Sequence, residues 1–539
     1  MSSAAPEIAS LTRTTSTKAR TTSTKAPATS TKARTTSTKR PRRASPPAGA
    51  VTAVALDPAS SAPLHRQVYE AVRGAILAGR LRSGSKLPST RALAAHLGLS
   101  RNTVLGAYAQ LLSEGYLRGR IGSGTYVADA LPERLLLARP SPEPRPSPSP
   151  GAGALSRRGA LVAGAASPFR RAAAQLGPAG WAFQVGVPAF DAFPGAVWGR
   201  LMSRRWDRSW RALVPRCEPQ GYAPLRRAIA DYLVTARGVR CTPEQVIVVG
   251  GAQQAISLAA EVLLDPGDPV WVEDPGYTAA RSALVAAGAT PVPVPVDEEG
   301  LDVASAVAGR LPARLAVVTP SHQFPLGVTM SLGRRLALLD WARSSGGWVF
   351  EDDYDSEFRY AGRPLAALQG LSPGARVIYA GTFSKVLSPS LRLGYVVVPE
   401  GLVDAFVAAK ALADVSSPSL EQAVLADFMA EGHFARHVRR MRVLYERRQA
   451  ALVAAAEREL RGLLEVRAAP AGMHLLGWLP AGRADGAAAE RAAANGVRCV
   501  ALSELRVRSA GRGALVLGYA AVGEDEIAEG ARRLRAALR

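Results

Sequence analysis

The feature that most constrains the fold of this chain is a series of five apolar runs, each of which ends in polar residues. The runs lie between residues 245 and 385 and read QVIVVGGAQQ, PVWVEDPGY, RLAVVTPSHQ, GWVFEDDY and RVIYAGTFSK. Stretches with helical spacing separate them, and strands that alternate with helices form a largely parallel sheet. Because the carboxyl ends of such strands meet at one edge of the sheet, we expect an α/β fold with a polar site at that edge.

Length and composition favour a multidomain protein of the cytoplasm. A chain of 539 residues is long enough for about two to four folded units. It contains neither an apolar run of about 18 residues, which a membrane-spanning helix needs, nor the short apolar core of a secretory signal. Its three cysteines include no CxxC pair, so we expect neither a disulfide framework nor a cysteine-built zinc site.

Changes in composition divide the chain into four segments. Residues 1–55 repeat TTSTKAR and TSTK, and the first 45 carry ten Lys and Arg against one Glu, a net charge of +9 out of +23. We expect a disordered basic tail, which is either a sequence-independent phosphate binder or a solvated extension. Residues 60–128 have helical and hairpin patterns, residues 129–175 are a proline-rich linker, and residues 176–539 hold the predicted α/β domain.

The segment 60–128 has the pattern of a winged helix-turn-helix. A first amphipathic helix starts at Leu64, and Ser89 and Ser100 each have the position of an N-cap for a further helix. The two capped helices are separated by GLS, which predicts a helix-turn-helix, and Val104 and Leu105 are expected to begin the buried face of the second one. The following GYLRGRIGSGTYVA predicts a tight hairpin, or wing.

This pattern points to DNA. The second helix of such a pair enters the major groove with its first residues, and arginines at the preceding helix and the wing suit phosphates and a minor groove. The candidate DNA-binding residues are Arg91, Ser100, Arg101, Asn102, Thr103, Arg118, Arg120 and Gly124. A small helical interaction domain with ordinary surface arginines is the alternative. The stretch LPSTRALAAHLGLSRNTVLGAYAQLLSEGYLRGRIGSGTYV resembles the winged helix of GntR-type bacterial repressors, which implies double-stranded operator DNA as a partner.

A second candidate site surrounds Lys385, the single lysine of GTFSKVLSPSLRLG. A desolvated lysine amine forms Schiff bases with aldehydes, and pyridoxal 5'-phosphate (PLP) is the commonest such partner. PLP needs an acid at its pyridine nitrogen and a donor at its phenolate oxygen. The run GWVFEDDYDSEF offers Asp352 and Tyr354, whose side chains point the same way on an extended chain. A metal site or a solvated turn is the alternative for these clustered acids.

The phosphate of PLP needs backbone amides at a helix start. The sequence VIVVGGAQQA passes from strand to helix and places Ala252 and Gln253 at such a start. Near the lysine, Thr382 and Ser384 offer hydroxyls and Arg392 offers a cation for the same phosphate. Together these residues form a predicted phosphate cup. Tyr277 of EDPGY either stacks on the ring or belongs to the core.

In their order along the chain, GYAPLRRAIADYL, EDPGY, TPSHQFPLGVTMS, EDDYDSEFRY and GTFSKVLSPSLRLGY resemble the fold-type I aminotransferases. The resemblance implies that Lys385 forms the Schiff base, that Asp352 and Tyr354 hold the pyridine nitrogen and the phenolate oxygen, and that Tyr277 covers the ring. It also implies a phosphate cup of Ala252, Gln253, Thr382, Ser384 and Arg392.

A GntR head joined by a long linker to such a body is the plan of the MocR family of transcriptional regulators, which this chain resembles over nearly its whole length. The resemblance implies a domain-swapped, head-to-tail homodimer. It further implies that PLP, or its adduct with an amine or amino acid, changes how the heads engage DNA.

Two positions depart from the aminotransferase pattern. QFPLG stands where NPTG is usual, so Phe324 replaces an asparagine that contacts PLP, and we expect His322 or Gln323 to compensate. ALVLGYA has Val516 where an arginine usually holds the substrate carboxylate, with Arg512 upstream. Without a bidentate arginine a carboxylate loses its best anchor, so the sequence favours Schiff-base formation over transamination.

Three functions are compatible with these patterns. We favour a PLP-responsive transcriptional regulator of the bacterial cytoplasm, associated with the nucleoid. A catalytically active aminotransferase tethered to DNA is the first alternative, and steady keto-acid production from an amino donor would support it. An architectural DNA-binding protein with a degenerate body is the second, and an imine absorption band that Lys385→Ala abolishes would exclude it.

Overall fold

The computed structural model describes residues 56–57, 60–120, 122–129, 155–166, 181–213, 218–362, 365–372, 374, 376–508 and 511–539. The chain divides into two units, residues 1–149 and 150–539. The predicted basic tail lies outside the described residues, and so does the predicted linker apart from positions 129 and 155–166. None of the helices in the described ranges combines the length and the apolar character that a membrane crossing requires.

The first unit is the winged helix-turn-helix that the sequence predicts. Its elements are α1 (Leu64–Leu77), α2 (Thr90–Leu97), α3 (Arg101–Ser113), β1 (Leu117–Arg120) and β2 (Gly124–Val127). The Ser89 hydroxyl accepts from the Ala92 N–H, and the Ser100 hydroxyl accepts from the Thr103 N–H, so both predicted N-caps form. Gly98 ends α2 in the left-handed conformation, and β1 and β2 pair antiparallel as the wing.

The buried face of α3 differs in one residue from the prediction. Val104 is fully buried, but the Leu105 side chain is 49% exposed. The face continues through Ala107, Tyr108 and Leu111. Because successive helical residues are separated by about 100°, that continuation turns Leu105 toward the solvent side of the helix.

The second unit begins with helices and a central sheet. Its first elements are α4 (Arg157–Ala165), α5 (Gly195–Leu213), α6 (Ala223–Arg237), β3 (Val246–Val249), α7 (Ala252–Leu263), β4 (Pro269–Asp274), α8 (Thr278–Ala287), β5 (Thr290–Asp297), β6 (Gly300–Leu301), α9 (Val303–Ala308), β7 (Leu315–Val318), α10 (Leu332–Ser345), β8 (Trp348–Asp353), α11 (Leu368–Leu371), β9 (Val377–Thr382) and β10 (Gly394–Val397). The remaining elements are α12 (Val403–Asp414), α13 (Ser419–Ala430), α14 (His433–Glu459), β11 (Glu465–Val466), β12 (His474–Trp478), α15 (Asp485–Ala494), β13 (Val500–Ala501), β14 (Ala514–Gly518) and α16 (Glu524–Leu538).

The central sheet has the order β3-β10-β9-β8-β7-β4-β5-β6. The pairs β9–β8, β8–β7, β7–β4 and β4–β5 are parallel, and β10 runs antiparallel between β3 and β9. The largely parallel sheet of the sequence analysis is therefore confirmed. Strands β3, β4, β7, β8 and β9 all run in one direction, so their carboxyl ends share one edge, as predicted.

A second, antiparallel sheet of order β11-β12-β14-β13 follows toward the C-terminus. Its inner face, with Leu475, Leu515 and Leu517, packs into a core that also includes Val438 of α14 and Leu534 of α16. This sheet matters for function because its first long strand, β12, lies next to the edge where the strands of the large sheet end.

Helix α4 lies inside the segment 129–175 that the sequence predicts as a linker. The prolines before it stop at Pro150, and RRGALVAGA supplies residues that favour a helix. The Ser156 hydroxyl caps it by accepting from the Gly159 N–H, and the helix packs against α8. Residues Arg157–Ala165 of the segment are therefore helical instead of extended.

Candidate functional site

Lys385 lies in the loop after β9 and lines a cavity of about 310 Å³ at the edge where the strands of the large sheet end. Its Nζ donates to the carbonyl oxygen of Gly186 at 2.7 Å. Burial lowers the pKa of the Lys385 amine, and the carboxyls of Asp355 and Asp352 partly oppose that shift. A lowered pKa increases the neutral fraction of the amine, which is the nucleophilic form.

Asp352, at the end of β8, faces the same cavity. Its Oδ1 is buried and has no hydrogen-bond partner among the described residues. Burial, with a smaller contribution from Asp353, raises the pKa of the Asp352 carboxyl to about 7. A buried carboxyl oxygen without a partner is costly, and a ligand that presents an N–H there would satisfy it.

The Tyr354 hydroxyl is held in place by a buried histidine. His322 Nδ1 lies 3.0 Å from Tyr354 Oη and 2.9 Å from Asp355 Oδ2. Burial, and next the Asp355 carboxylate, raises the pKa of Tyr354, so its hydroxyl stays protonated and can donate. Tyr354 lines the cavity and His322 does not. The structure thus places His322 behind Tyr354, as a residue that orients the predicted phenolate donor, and outside the lining of the cavity in which the sequence predicts it.

The predicted phosphate cup comes together at one end of the cavity. Gly251, with φ +123°, is the N-cap of α7, and Ala252 and Gln253 open that helix. A Cβ placed on Gly251 would lie 3.9 Å from both Arg392 Nη1 and Ser384 Oγ. The first amides of a helix have no intrahelical acceptor, so amides, a hydroxyl and a guanidinium converge on one point.

Each member of the cup contributes a definite group. Thr382 Oγ1 accepts from the Ser384 N–H at 3.1 Å. The side-chain amide of Gln253 donates to the Ala279 carbonyl at 3.1 Å, which leaves its backbone N–H for a phosphate. Arg392 lines the cavity, and no carboxylate in the described part of the chain forms an ion pair with it.

Aromatic rings form another part of the cavity wall. Tyr277 lines the cavity, and the Phe324 ring meets Tyr277, Tyr354 and His474 edge-on, with centroid separations of 6.0, 6.3 and 5.5 Å. Gln323 cannot replace the missing asparagine because its Nε2 is bound to Glu273 and two carbonyl oxygens. Neither of the two residues expected to compensate for Phe324 therefore reaches the cavity.

Several residues that line the cavity are not among the sequence-predicted site residues, namely Val185, Gly186, Thr319, Pro389, Met473 and His474. The most polar of them is His474, the first residue of β12. Its Nε2 donates to the Pro325 carbonyl at 3.0 Å, so Nδ1 carries the lone pair. Burial, with His322 nearby, lowers its pKa to about 3, and the ring stays neutral at physiological pH. Only its place in the run AGMHLLGW, a lone histidine among apolar residues, marks it in the sequence.

The cavity contains no arginine suited to a substrate carboxylate among its described lining residues, where Lys385 and Arg392 are the two cations. Val516 is fully buried in β14, between Leu476 and Val500. The Arg512 guanidinium donates to the Leu479 carbonyl and pairs with Glu465. Both positions noted in the sequence are thus removed from the cavity.

The DNA-reading candidates lie at the starts of α2 and α3 and on the wing. Arg91, Arg101 and Asn102 are exposed, whereas Ser100 and Thr103 bond to each other with Oγ and Oγ1 2.8 Å apart. On the wing, the Arg120 guanidinium lies 5.0 Å from the centre of the Tyr126 ring.

The other two wing candidates have different roles. Arg118 is paired with Asp129, so the structure does not leave its guanidinium free for a groove as predicted. Gly124, with φ +119°, pairs with Arg120 at the turn end of the hairpin, where a conformation that favours glycine is required.

Comparisons with known proteins agree with this division. Residues 64–127 match the family model of bacterial regulatory proteins of the gntR family, and residues 216–534 match that of aminotransferase class I and II. The probable rhizopine catabolism regulatory protein MocR of Rhizobium meliloti is 43% identical over 90% of this chain and 95% of its own length. The HTH-type pyridoxine biosynthesis transcriptional regulator PdxR of Corynebacterium glutamicum is 33% identical over 74% of this chain and 79% of its own.

A solved structure shows the same body in an enzyme. LysN, an α-aminoadipate aminotransferase of Thermus thermophilus complexed with N-(5'-phosphopyridoxyl)-L-leucine, matches with a TM-score of 0.64 and 32% identity, over 72% of this chain and 97% of LysN. The aminotransferase class I and II fold generally uses PLP. Of the two relatives named above, MocR is a regulatory protein by name and PdxR an HTH-type transcriptional regulator. The chain therefore belongs to the MocR family of transcriptional regulators, in which a GntR-type winged helix-turn-helix is joined to a fold-type I aminotransferase-like domain.

Proposed function

We propose that PLP binds covalently at Lys385 and that its presence changes how the winged heads bind operator DNA. The observation that carries this proposal is the unpartnered Asp352 Oδ1 in the cavity that also holds the Lys385 amine and the phosphate cup. A buried carboxyl with a raised pKa and an amine with a lowered pKa mark a site built for a ligand.

The residues of the cavity fit PLP group by group. Asp352 would meet the pyridine nitrogen, Tyr354 the phenolate oxygen and Tyr277 the ring face. Ala252, Gln253, Thr382, Ser384 and Arg392 would hold the phosphate. When bound, the cofactor supplies an aldehyde carbon that condenses with a neutral primary amine and releases its oxygen as water. Lys385 is the amine in reach, and the Gly186 carbonyl keeps its Nζ directed into the cavity.

A regulatory use of the cofactor is favoured over turnover. Among the described residues, neither position 516 nor position 512 brings a guanidinium to the cavity for a substrate carboxylate, and Phe324 occupies the position of the usual asparagine. The effector we propose is PLP itself or an amine or amino acid that reacts with it. The regulators of pyridoxine biosynthesis and of rhizopine catabolism among the relatives are compatible with both kinds of effector.

For regulation, the DNA-competent state must bind the cofactor with a different affinity from the other state, because a ligand shifts an equilibrium only by its differential affinity. We propose a domain-swapped, head-to-tail homodimer in the cytoplasm, associated with the nucleoid. Residues 129–175 would link the head 60–128 to the body 176–539. Residues 1–55 would add sequence-independent attraction to DNA phosphates through their net charge of +9.

An absorption titration tests cofactor binding. Purified protein is titrated with PLP, and the new band is followed in wild type and in Lys385→Ala, with Lys86→Ala in the head as a matched lysine control. We expect the band in wild type and the control and its loss in Lys385→Ala. The same samples are then given an amino donor and assayed for keto acid. No band in wild type contradicts PLP binding at Lys385, and steady keto-acid production would favour a tethered aminotransferase.

A further inference from the structure

A hydrogen-bonded chain leads away from the phosphate cup to a buried lysine on another helix. Gln254, in the first turn of α7, accepts the backbone N–H of Gly250 with its Oε1 at 2.7 Å. Its Nε2 donates to Asp414 Oδ2 at 2.9 Å. Asp414, the last residue of α12, also accepts from Lys410 Nζ at 2.5 Å. None of these side chains lines the cavity, and none has a role in the function proposed above.

The chemistry of the two ends fixes the orientation of the Gln254 amide. A carboxylate only accepts and an N–H only donates, so the NH₂ group must face Asp414 and the oxygen must face Gly250. Lys410 is fully buried, and a buried ammonium requires a paired anion. Asp414 is therefore held by Lys410, and it in turn prevents the Gln254 amide from rotating by 180°.

The peptide group that Gln254 fixes lies directly before the cup. Gly250 is followed by Gly251, whose φ of +123° starts α7. A Cβ on Gly250 would lie 3.4 Å from Gln254 Oε1 and 3.7 Å from Arg392 Nη2, so the turn is enclosed between the amide and the guanidinium. Because the Gly250 N–H is used by Gln254, the amides left for a phosphate are those that follow, and their direction depends on this turn.

We propose that Gln254 is a positioning residue for the phosphate cup, held in place by Asp414 and Lys410, so that the three together favour ligands that carry a phosphate. The inference rests on the proposed binding of PLP at Lys385. The alternative is an ordinary helix cap: a glutamine at this position of a first turn commonly reaches back to a backbone N–H and stabilises the helix alone.

The two roles differ in their effect on pyridoxal, which has the aldehyde and ring of PLP but no phosphate. Dissociation constants for PLP and for pyridoxal are measured by absorption in wild type and in Gln254→Met, which keeps the length of the side chain and removes both hydrogen bonds. Gln245→Met is the matched control. Gln245 also bridges a backbone N–H, that of Thr242, and a carbonyl, that of Val398, but it lies at the opposite end of β3.

We expect Gln254→Met to weaken PLP binding by about five- to tenfold, the order of one hydrogen bond, and to change pyridoxal binding less than about twofold. Asp414→Asn, which allows the Gln254 amide to rotate, is expected to cause a smaller loss with the same selectivity for PLP. Gln245→Met should leave the ratio of the two constants unchanged. Tryptophan fluorescence melts identify any variant that has unfolded, and the ratio for the folded fraction remains the readout.

The outcomes separate this inference from the function on which it rests. Equal losses of PLP and pyridoxal in Gln254→Met, or no loss of either, would overturn the positioning role while the wild-type titration still supports PLP binding. The same ratio in Gln245→Met as in Gln254→Met would also overturn it, because a general effect on the fold would then explain both. If wild type binds neither compound, both the inference and the proposed function fail.

Discussion

Replacement of Asp352 by asparagine is expected to stabilise the cofactor-free protein at high pH and, at the same time, to weaken PLP binding. The Asp352 carboxyl is buried with one oxygen unpartnered, and its pKa rises from 3.8 to about 7. Its folded pKa is higher than its unfolded pKa, so the folded state binds more protons between these values. The stability that the protonated carboxyl contributes is full below about pH 4 and is lost as the pH rises through about 7.

The size of this effect follows from the shift. One pKa unit corresponds to about 1.4 kcal/mol, so a shift of roughly three units costs the wild type up to about 4 kcal/mol once the carboxyl is ionised. Integrated between pH 5 and pH 8, the loss is about 2 to 3 kcal/mol. Asparagine does not titrate, so the stability of Asp352→Asn relative to wild type should rise by that amount over the same interval.

The assay is urea unfolding of the cofactor-free full chain at pH 5 and pH 8. All eight tryptophans lie between residues 181 and 478, so their fluorescence reports the aminotransferase-like domain. Asp340→Asn, at a carboxyl whose side chain is 64% exposed, is the control and should show no pH-dependent difference. PLP affinity is measured on the same variant and should fall about tenfold or more, because a charged hydrogen-bond partner is lost. The same stability difference at both pH values would refute the assignment of a buried carboxyl with a raised pKa.

Three further substitutions test other parts of the molecule. Gly251→Ala should destabilise the aminotransferase-like domain by about 1 to 2 kcal/mol, because the φ of +123° disfavours a side chain. It should also weaken the binding of PLP more than the binding of pyridoxal. Urea unfolding measures the stability, and absorption titration measures the two affinities. Leu111→Ala, in the fully buried core of the head, should lower the free energy of unfolding of the head by about 2 to 5 kcal/mol, as followed by circular dichroism. It should abolish DNA binding while the PLP absorption band persists. Loss of that band would contradict two units that fold separately. Arg101→Ala should weaken operator binding by about 1 to 3 kcal/mol and relax the sequence preference at one base pair in a binding selection. Arg343→Ala, at an exposed arginine of the other unit, is the control. An unchanged sequence preference in Arg101→Ala would exclude a base contact.

The position of the site can be predicted from the sequence because the strands are strongly patterned. Each apolar run ends where a strand ends, and a parallel sheet brings those ends together regardless of the details of side-chain packing. Lys385, Asp352 and Tyr354 accordingly lie around one cavity, as expected. The N-caps Ser89 and Ser100 are equally predictable, because capping is a local interaction between a side chain and a nearby backbone N–H.

The residues that the sequence misplaces depend on long-range packing. His322 is expected at the cofactor because it lies close in sequence to the replaced asparagine, but its ring turns back to Tyr354 and Asp355. His474 comes from the C-terminal sheet, and no local pattern shows that β12 borders the cavity. The pairing of Arg118 with Asp129 depends on the register of the wing hairpin, which brings β1 next to the residues that follow β2.

Operator binding with and without PLP decides between cofactor-dependent regulation and a head that binds DNA independently of the cofactor. A DNA site chosen by binding selection is footprinted with wild type and with Lys385→Ala, over a range of PLP concentrations and at a fixed salt concentration. We expect PLP to change the affinity or the footprint of wild type and to leave Lys385→Ala unaffected. Identical affinity and footprint for wild type at all PLP concentrations, in a preparation that shows the absorption band, would contradict cofactor-dependent regulation.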